Sequence, residues 1–184
     1  QAARAGRELV DYFEREELKI RNSVPTVEGA VQIAMEEMGI TLHGCRALVL
    51  GYGRIGKLLC HTLGHLGCHV TGAARKYSDL AWIRCFGYEG VPFATYSQHL
   101  GEYDVIFNTV PQKVLTGQEL REIKKDALII DLASKPGGVD MEAAREAGVR
   151  CIWALSLPGK VAPVTSGEII LETVEHILEE HRSS

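Results

Sequence analysis

The chain has 184 residues, 46% of them apolar and 24% charged, with a formal net charge of −4 at pH 7. That length accommodates one substantial domain with a helical extension, in a composition ordinary for a soluble globular protein. The acidic balance argues against nucleic acid as the main partner, no apolar run approaches the roughly 18 residues of a membrane span, and no secretory signal opens the sequence, so a cytoplasmic location is expected.

Residues 1–20 are predicted to be helical, with Leu9, Val10, Phe13 and Leu18 on one side and dense charge on the other. The stretch Asn22–Thr26 interrupts that pattern. A second helix is expected from Pro25, at a first-turn position where a missing N–H costs little, to about Met38. Beyond a connector framed by Gly39 and Gly44, strands and helices alternate. The predicted strands are 46–50, 68–73, 90–93, 104–108, 127–132 and 149–153, with helices at about 54–66, 78–86, 116–123 and 139–147. The strands are short runs rich in Val, Ile and Leu, as in a parallel sheet covered on both faces. Thr116 with Glu119, and Thr165 with Glu168, have capping-box spacing, and the second pair is expected to open a final helix reaching about Glu180. The alternation predicts an α/β fold: a doubly wound parallel sheet of Rossmann type, with right-handed crossovers and an N-terminal helical extension.

Cysteines stand at 45, 60, 68, 85 and 151. Their number is odd and no C-x-x-C pair occurs, so reduced, mostly buried thiols are expected rather than a disulfide framework. His61 and His65 lie four apart on the helix predicted at 54–66, but they share its solvated face with Arg54 and Lys57, opposite the stripe of Ile55, Leu59, Leu63 and Leu66. With no third ligand nearby, no metal site is expected.

The segment LVLGYGRIGKLL carries Gly51, Tyr52, Gly53, Arg54, Ile55 and Gly56, a G-x-G-x-x-G turn that directly follows a strand and directly opens an amphipathic helix. Gly51 permits the tight turn, Gly53 lets a pyrophosphate approach the backbone, and Gly56 lets helix and strand pack closely. Helix-start amides backed by the helix dipole then face the phosphates. At the end of the second strand, an acidic residue would hold an adenosine ribose and repel a 2′-phosphate. Ala74 stands there instead, followed by Arg75 and Lys76, whose positive charge and planar donor fork suit a phosphate. NADP is therefore the expected cofactor, with NAD as the other possibility.

Three further motifs end later strands: FNTVP at 107–111, DLASKPGGVD at 131–140 and LPGKVAPVTSGE at 157–168. In an open α/β sheet ligands lie outside the carboxyl ends of the strands, so these loops are expected to face one cleft. Together with NSVPTVEGAVQIAMEE at 22–37, they resemble the family of dipicolinate synthase A subunits of bacterial spore formers, from about Leu9 to Ile177. The resemblance implies oxidation of dihydrodipicolinate to dipicolinate, a small dicarboxylate, with hydride passed to a nicotinamide. The residues agree with this: Asn108, Thr109, Val110 and Pro111 end the fourth strand and are expected to border the nicotinamide ribose, and Lys135 and Lys160 lie on the expected cleft loops, where they could neutralise substrate carboxylates. No general base is nominated. Members of that family, similar to 2-hydroxyacid dehydrogenases, carry another α/β domain before the helix corresponding to 25–38. Residues 1–24 are accordingly expected to be a helical hinge or remnant of a preceding domain, and 25–184 the dinucleotide-binding domain. The start at Gln1 agrees with a processed or truncated product. The expected partners are a second copy of the chain, in a homo-oligomer, and a second synthase subunit. The competing readings are a dehydrogenase of another small acid, 2-hydroxyacid or shikimate type, and a non-catalytic nucleotide-sensing domain.

Overall fold

The computed structural model describes residues 9–182. Its centre is a sheet of six short strands: Arg46–Leu50 (β1), His69–Ala74 (β2), Glu89–Pro92 (β3), Val105–Asn108 (β4), Leu128–Asp131 (β5) and Arg150–Trp153 (β6). Their order is β3-β2-β1-β4-β5-β6, and every neighbouring pair is parallel. Residues on a strand alternate between faces. Ala47 and Val49 of β1 thus enter one hydrophobic core with Val105, Phe107, Leu128 and Ile130, while Leu48 and Leu50 enter the other with Ile106 and Ile129. Helices Ser23–Glu37 (α2), Arg54–His65 (α3) and Tyr77–Cys85 (α4) cover the first face through Ala30, Leu59, Leu63 and Ile83. Helices Gly117–Glu122 (α5) and Met141–Ala147 (α6) cover the second through Leu120 and Ala144. This is the doubly wound Rossmann-type sheet the sequence predicts, with helices before β1.

The N-terminal segment departs from expectation. Residues 1–8 of the helix expected over 1–20 lie outside the described residues. Over the remainder, one 3-10 turn at Tyr12–Glu14 is followed by a short helix, Glu16–Arg21 (α1), and the interruption falls at Arg15 rather than at Asn22–Thr26. Arg15 is extended, at φ −67° and ψ 127°, and its guanidinium pairs with Glu17 at 2.6 Å and Glu180 at 2.7 Å. That anchorage directs Leu18 into the interior, while Leu9 and Phe13 remain 78% and 52% exposed. Asn22 keeps helical angles, so α1 runs almost directly into α2, and Pro25 occupies the first turn of α2.

The last helix is also shifted. It spans Pro163–Arg182 (α8), which places Thr165 and Glu168 inside its opening turns instead of at a cap. Pro163, with no N–H to satisfy and φ already fixed, takes the first position and overrides the Thr165–Glu168 spacing. The other box is real: the Thr116 backbone N–H donates to Glu119 Oε2 at 3.0 Å and its hydroxyl at 2.5 Å. A five-residue helix, Leu157–Val161 (α7), precedes α8 and packs on α2. All five cysteines are free thiols.

Candidate functional site

Strand order reverses between β1 and β4, and the loops that leave the carboxyl ends of β1, β2 and β4 part there. A cleft of about 590 Å³ opens at that point, lined by Gly51, Tyr52 and Gly53 from the first loop, Ala74, Arg75 and Lys76 from the second, and Thr109, Val110 and Pro111 from the third.

The glycine turn is shaped by close approach. Gly51 has φ +96°, and a Cβ there would run into the Thr109 hydroxyl. A Cβ on Gly56 would collide with the Gly51 carbonyl, so helix α3 lies directly on the turn. The turn is fixed by Gly51 N–H donating to Ala73 O at 3.0 Å, and by the Thr109 N–H and hydroxyl both donating to Leu50 O at 2.9 Å. Gly53 is different. Its backbone is extended, and a Cβ would meet nothing within 4 Å. It faces the open cleft at the start of α3, and no side chain caps that helix. An oxygen-rich group can therefore reach the first amides of α3 unobstructed, so the site's shape fits a dinucleotide pyrophosphate.

Not every residue of the motif turns to the cleft. Arg54 swings away to pair with Glu16 of α1 at 2.8 Å, and Ile55 packs partly buried against the core. Tyr52 lines the cleft with its ring, over which Lys57 Nζ lies at 5.7 Å. Its hydroxyl is buried without a hydrogen-bond partner among the described residues, and burial pushes the phenol up to about 12.

At the end of β2, Ala74 is buried, and Arg75 connects three loops. Its guanidinium donates to Gln112 Oε1 at 2.9 Å and lies 5.4 Å from the centre of the Phe93 ring. Lys57, Asp79, Phe93 and Gln112 also line the cleft, and the sequence motifs do not single them out. Lys57 carries a usable signal: one turn after Gly53, it falls on the cleft side of α3. Phe93 and Gln112 reach the cleft only because β3 and β4 flank β2 and β1, a matter of strand order.

The fourth strand ends differently from expectation. Asn108 is completely buried and outside the cleft lining. Its amide nitrogen donates to Asp131 Oδ1 at 2.8 Å and Val110 O at 3.0 Å, while its oxygen accepts from the Val110 N–H at 3.1 Å. Asp131, only 1% exposed, accepts additionally from the backbone N–H groups of Ala133, Gly138 and Val139 at 3.1, 2.8 and 3.2 Å. This buried carboxylate shapes the loop after β5, in which the Lys135–Pro136 peptide is cis. Lys135 is exposed on that loop and Lys160 exposed on α7; neither lines the cleft under β1, β2 and β4. His61 packs edge-on against Phe86 with ring centres 4.3 Å apart, and no His, Cys, Asp or Glu cluster suited to a metal occurs among the described residues.

The fold and this cleft define a dinucleotide-binding domain. The sequence matches the D-isomer specific 2-hydroxyacid dehydrogenase, NAD binding domain family over residues 10–146, and the chain belongs to that family. NAD or NADP is therefore its cofactor class. More particularly, it is 40% identical over 181 residues to the A subunit of dipicolinate synthase from Bacillus subtilis strain 168, covering 97% of this chain and 60% of the relative. The crystal structure of that synthase's A polypeptide from Bacillus subtilis superposes with a TM-score of 0.95 at 37% identity, over 99% of this chain and 61% of that one. The corresponding polypeptide from Bacillus halodurans gives 0.93 at 37% identity, over 96% and 61%. The chain thus spans about three fifths of the length of these relatives. No helix among the described residues is long and apolar enough to cross a membrane.

Proposed function

We propose that this chain is the cofactor-binding part of an NADP-dependent oxidoreductase, of the type of the dipicolinate synthase A subunit, which oxidises dihydrodipicolinate to dipicolinate. The observation that carries the cofactor choice is the end of β2. Lys57, Arg75 and Lys76 line the cleft against the single carboxylate of Asp79, and no acid stands at buried Ala74. That balance attracts a 2′-phosphate, and a charge-assisted hydrogen bond to it contributes about 1.5–3 kcal/mol. The reaction choice rests on the 40% identity to a dipicolinate synthase subunit.

The nicotinamide, when bound, supplies hydride acceptance. The chain's own contribution is binding and orientation. The amides after Gly53 receive the pyrophosphate, and Arg75 and Lys76 hold the adenosine end. Thr109, Val110 and Pro111 border the ribose next to the ring, with Asn108 setting the course of that loop from beneath. Lys135, on the loop after β5, and Lys160, on α7 beyond the adjacent strand β6, attract the two substrate carboxylates. In this reading residues 1–24 form the hinge toward a further domain and 25–184 the cofactor domain. The partners are a second copy of the chain and a second synthase subunit.

Calorimetric titration of NADP and NAD against the native chain and Arg75→Ala tests the cofactor. The native chain should favour NADP by about tenfold or more, equivalent to ~1.4 kcal/mol, and Arg75→Ala should lose most of that preference. Equal affinities in the native chain overturn it. Dipicolinate formation by the chain extended to the full length of its relatives, with the second synthase subunit supplied, tests the reaction. Oxidation only of other small acids would reassign the substrate, and binding without turnover under any pairing would favour the sensing domain.

A further inference from the structure

At the opposite end of the sheet from the cofactor cleft, Cys45 and Cys68 immediately precede β1 and β2. Arg46 pairs with His69 in the parallel register, so Cys45 and Cys68 are opposed one step earlier. The ladder continues through them, since His69 N–H donates to Cys45 O at 2.8 Å. Adjacent strands lie about 4.8 Å apart, within the ~4.4–6.8 Å between Cα atoms that a disulfide spans. Backbone placement alone therefore sets the two Cα atoms within the span of a disulfide, with both side chains on the same face of the sheet.

The two sulfurs are not equivalent. Cys45 is buried, whereas Cys68 is part-exposed and lines a cavity of about 470 Å³ together with Arg46, His69, Tyr88 and Glu89. The neighbouring Cys45 thiol holds the Cys68 thiol below its ordinary range, while the Cys68 thiol, reinforced by burial, pushes Cys45 up. One sulfur is thus reachable and nucleophilic, and the other is shielded behind it.

We propose that Cys45 and Cys68 form a redox-active dithiol, in which Cys68 reacts with a hydroperoxide and Cys45 resolves the product as an intramolecular disulfide. In the first step the Cys68 thiolate attacks the peroxide. An S–O bond forms, the O–O bond breaks, and the departing alkoxide or hydroxide takes a proton, leaving a sulfenic acid. Cys45 then attacks Cys68 Sγ; the S–S bond forms, the S–O bond breaks, and hydroxide leaves with the Cys45 proton as water. Two thiols lose two hydrogens, and the hydroperoxide is reduced to an alcohol or water, with one further water released.

The test treats the native chain with hydrogen peroxide, alkylates the remaining thiols and maps the peptides by mass spectrometry. The expected product loses two hydrogens, joins the Cys45 and Cys68 peptides, and returns to five free thiols on adding dithiothreitol. Cys45→Ser should stop at a Cys68 sulfenic acid that dimedone traps, and Cys68→Ser should give neither product. The native-chain map stands on its own if either variant misfolds. Five alkylated thiols after peroxide, a bond through Cys60, Cys85 or Cys151 instead, or dimedone labelling elsewhere in Cys45→Ser would overturn the proposal.

Discussion

Two loops at the same edge of the sheet are built on opposite principles. The turn between β1 and α3 is shaped by missing side chains: backbone packs on backbone at Gly51 and Gly56, and Gly53 leaves an open approach. The loop between β5 and α6 is shaped by a side chain, the buried carboxylate of Asp131, which collects donors from Asn108, Ala133, Gly138 and Val139. A glycine turn localises its function in one position, Gly53, that the fold does not need. A carboxylate-centred loop has no such separation, because the group that shapes it also satisfies buried donors.

The sharpest way to break this comparison is Asp131→Ala. The Asn108 amide and three backbone N–H groups would lose a charged acceptor in a site closed to water. Each hydrogen bond to a charged group contributes about 1.5–3 kcal/mol, so a loss of about 4 kcal/mol or more is expected in urea unfolding. A loss under about 1 kcal/mol would mean that the loop holds its shape without the carboxylate.

Gly53→Val is the counterpart in the first loop. The extended backbone at φ −83° accepts a branched residue, and its Cβ enters free space, so stability should change by no more than about 0.5 kcal/mol. The cofactor should nevertheless bind at least about a hundredfold more weakly, or ~2.7 kcal/mol, because the side chain fills the approach to the α3 amides. Normal binding by a folded variant would make the turn purely structural. Gly56→Ala falls between these cases. Its Cβ cannot be accommodated without moving the Gly51 carbonyl, so stability should drop by about 2 kcal/mol and binding should weaken with it.

The same contrast explains what the sequence discloses. Periodicity locates all six strands and the helices at 54–66, 78–86, 116–123 and 139–147 between them, but not the short helix at Leu157–Val161, because covered parallel strands are continuous apolar runs bounded by turns. The glycine motif is legible because a local rule connects three residues within one turn. Asn108 reads as a cleft residue since it ends a strand there, yet its amide is directed inward by Asp131, which lies 23 positions away in sequence. No local pattern encodes that partnership. Gln112 and Phe93 escape a sequence reading for the same reason: their meeting at Arg75 depends on three loops converging. At the final helix two local rules compete, and Pro163 prevails over the spacing of Thr165 and Glu168.

The smallest effect concerns how the second loop is supported. Residues 114 and 115 are bound to it: the Val114 and Leu115 N–H groups donate to Gly138 O, and Asp140 N–H donates to Leu115 O. The cap of α5 closes this arrangement. Burial alone would push the Glu119 carboxyl up, but the bonds from the Thr116 hydroxyl and from backbone amides hold it below the ordinary 4.5. A carboxyl depressed in the folded state adds stability that is present above its unfolded value and lost as pH falls through its folded value. Thr116→Ala removes the N-cap and should cost about 1 kcal/mol at pH 7. Because part of that cost is the hydroxyl's hold on ionised Glu119, the gap between native and variant should narrow as pH falls below about 4.5, the range in which the unfolded carboxyl takes up its proton. Urea unfolding of both proteins between pH 7 and pH 3 gives that gap directly. A constant gap would locate the cap's contribution in the Thr116 bond to the helix backbone and leave Glu119 no part in it; a gap that widens toward acid would reverse the sign and contradict the depressed carboxyl.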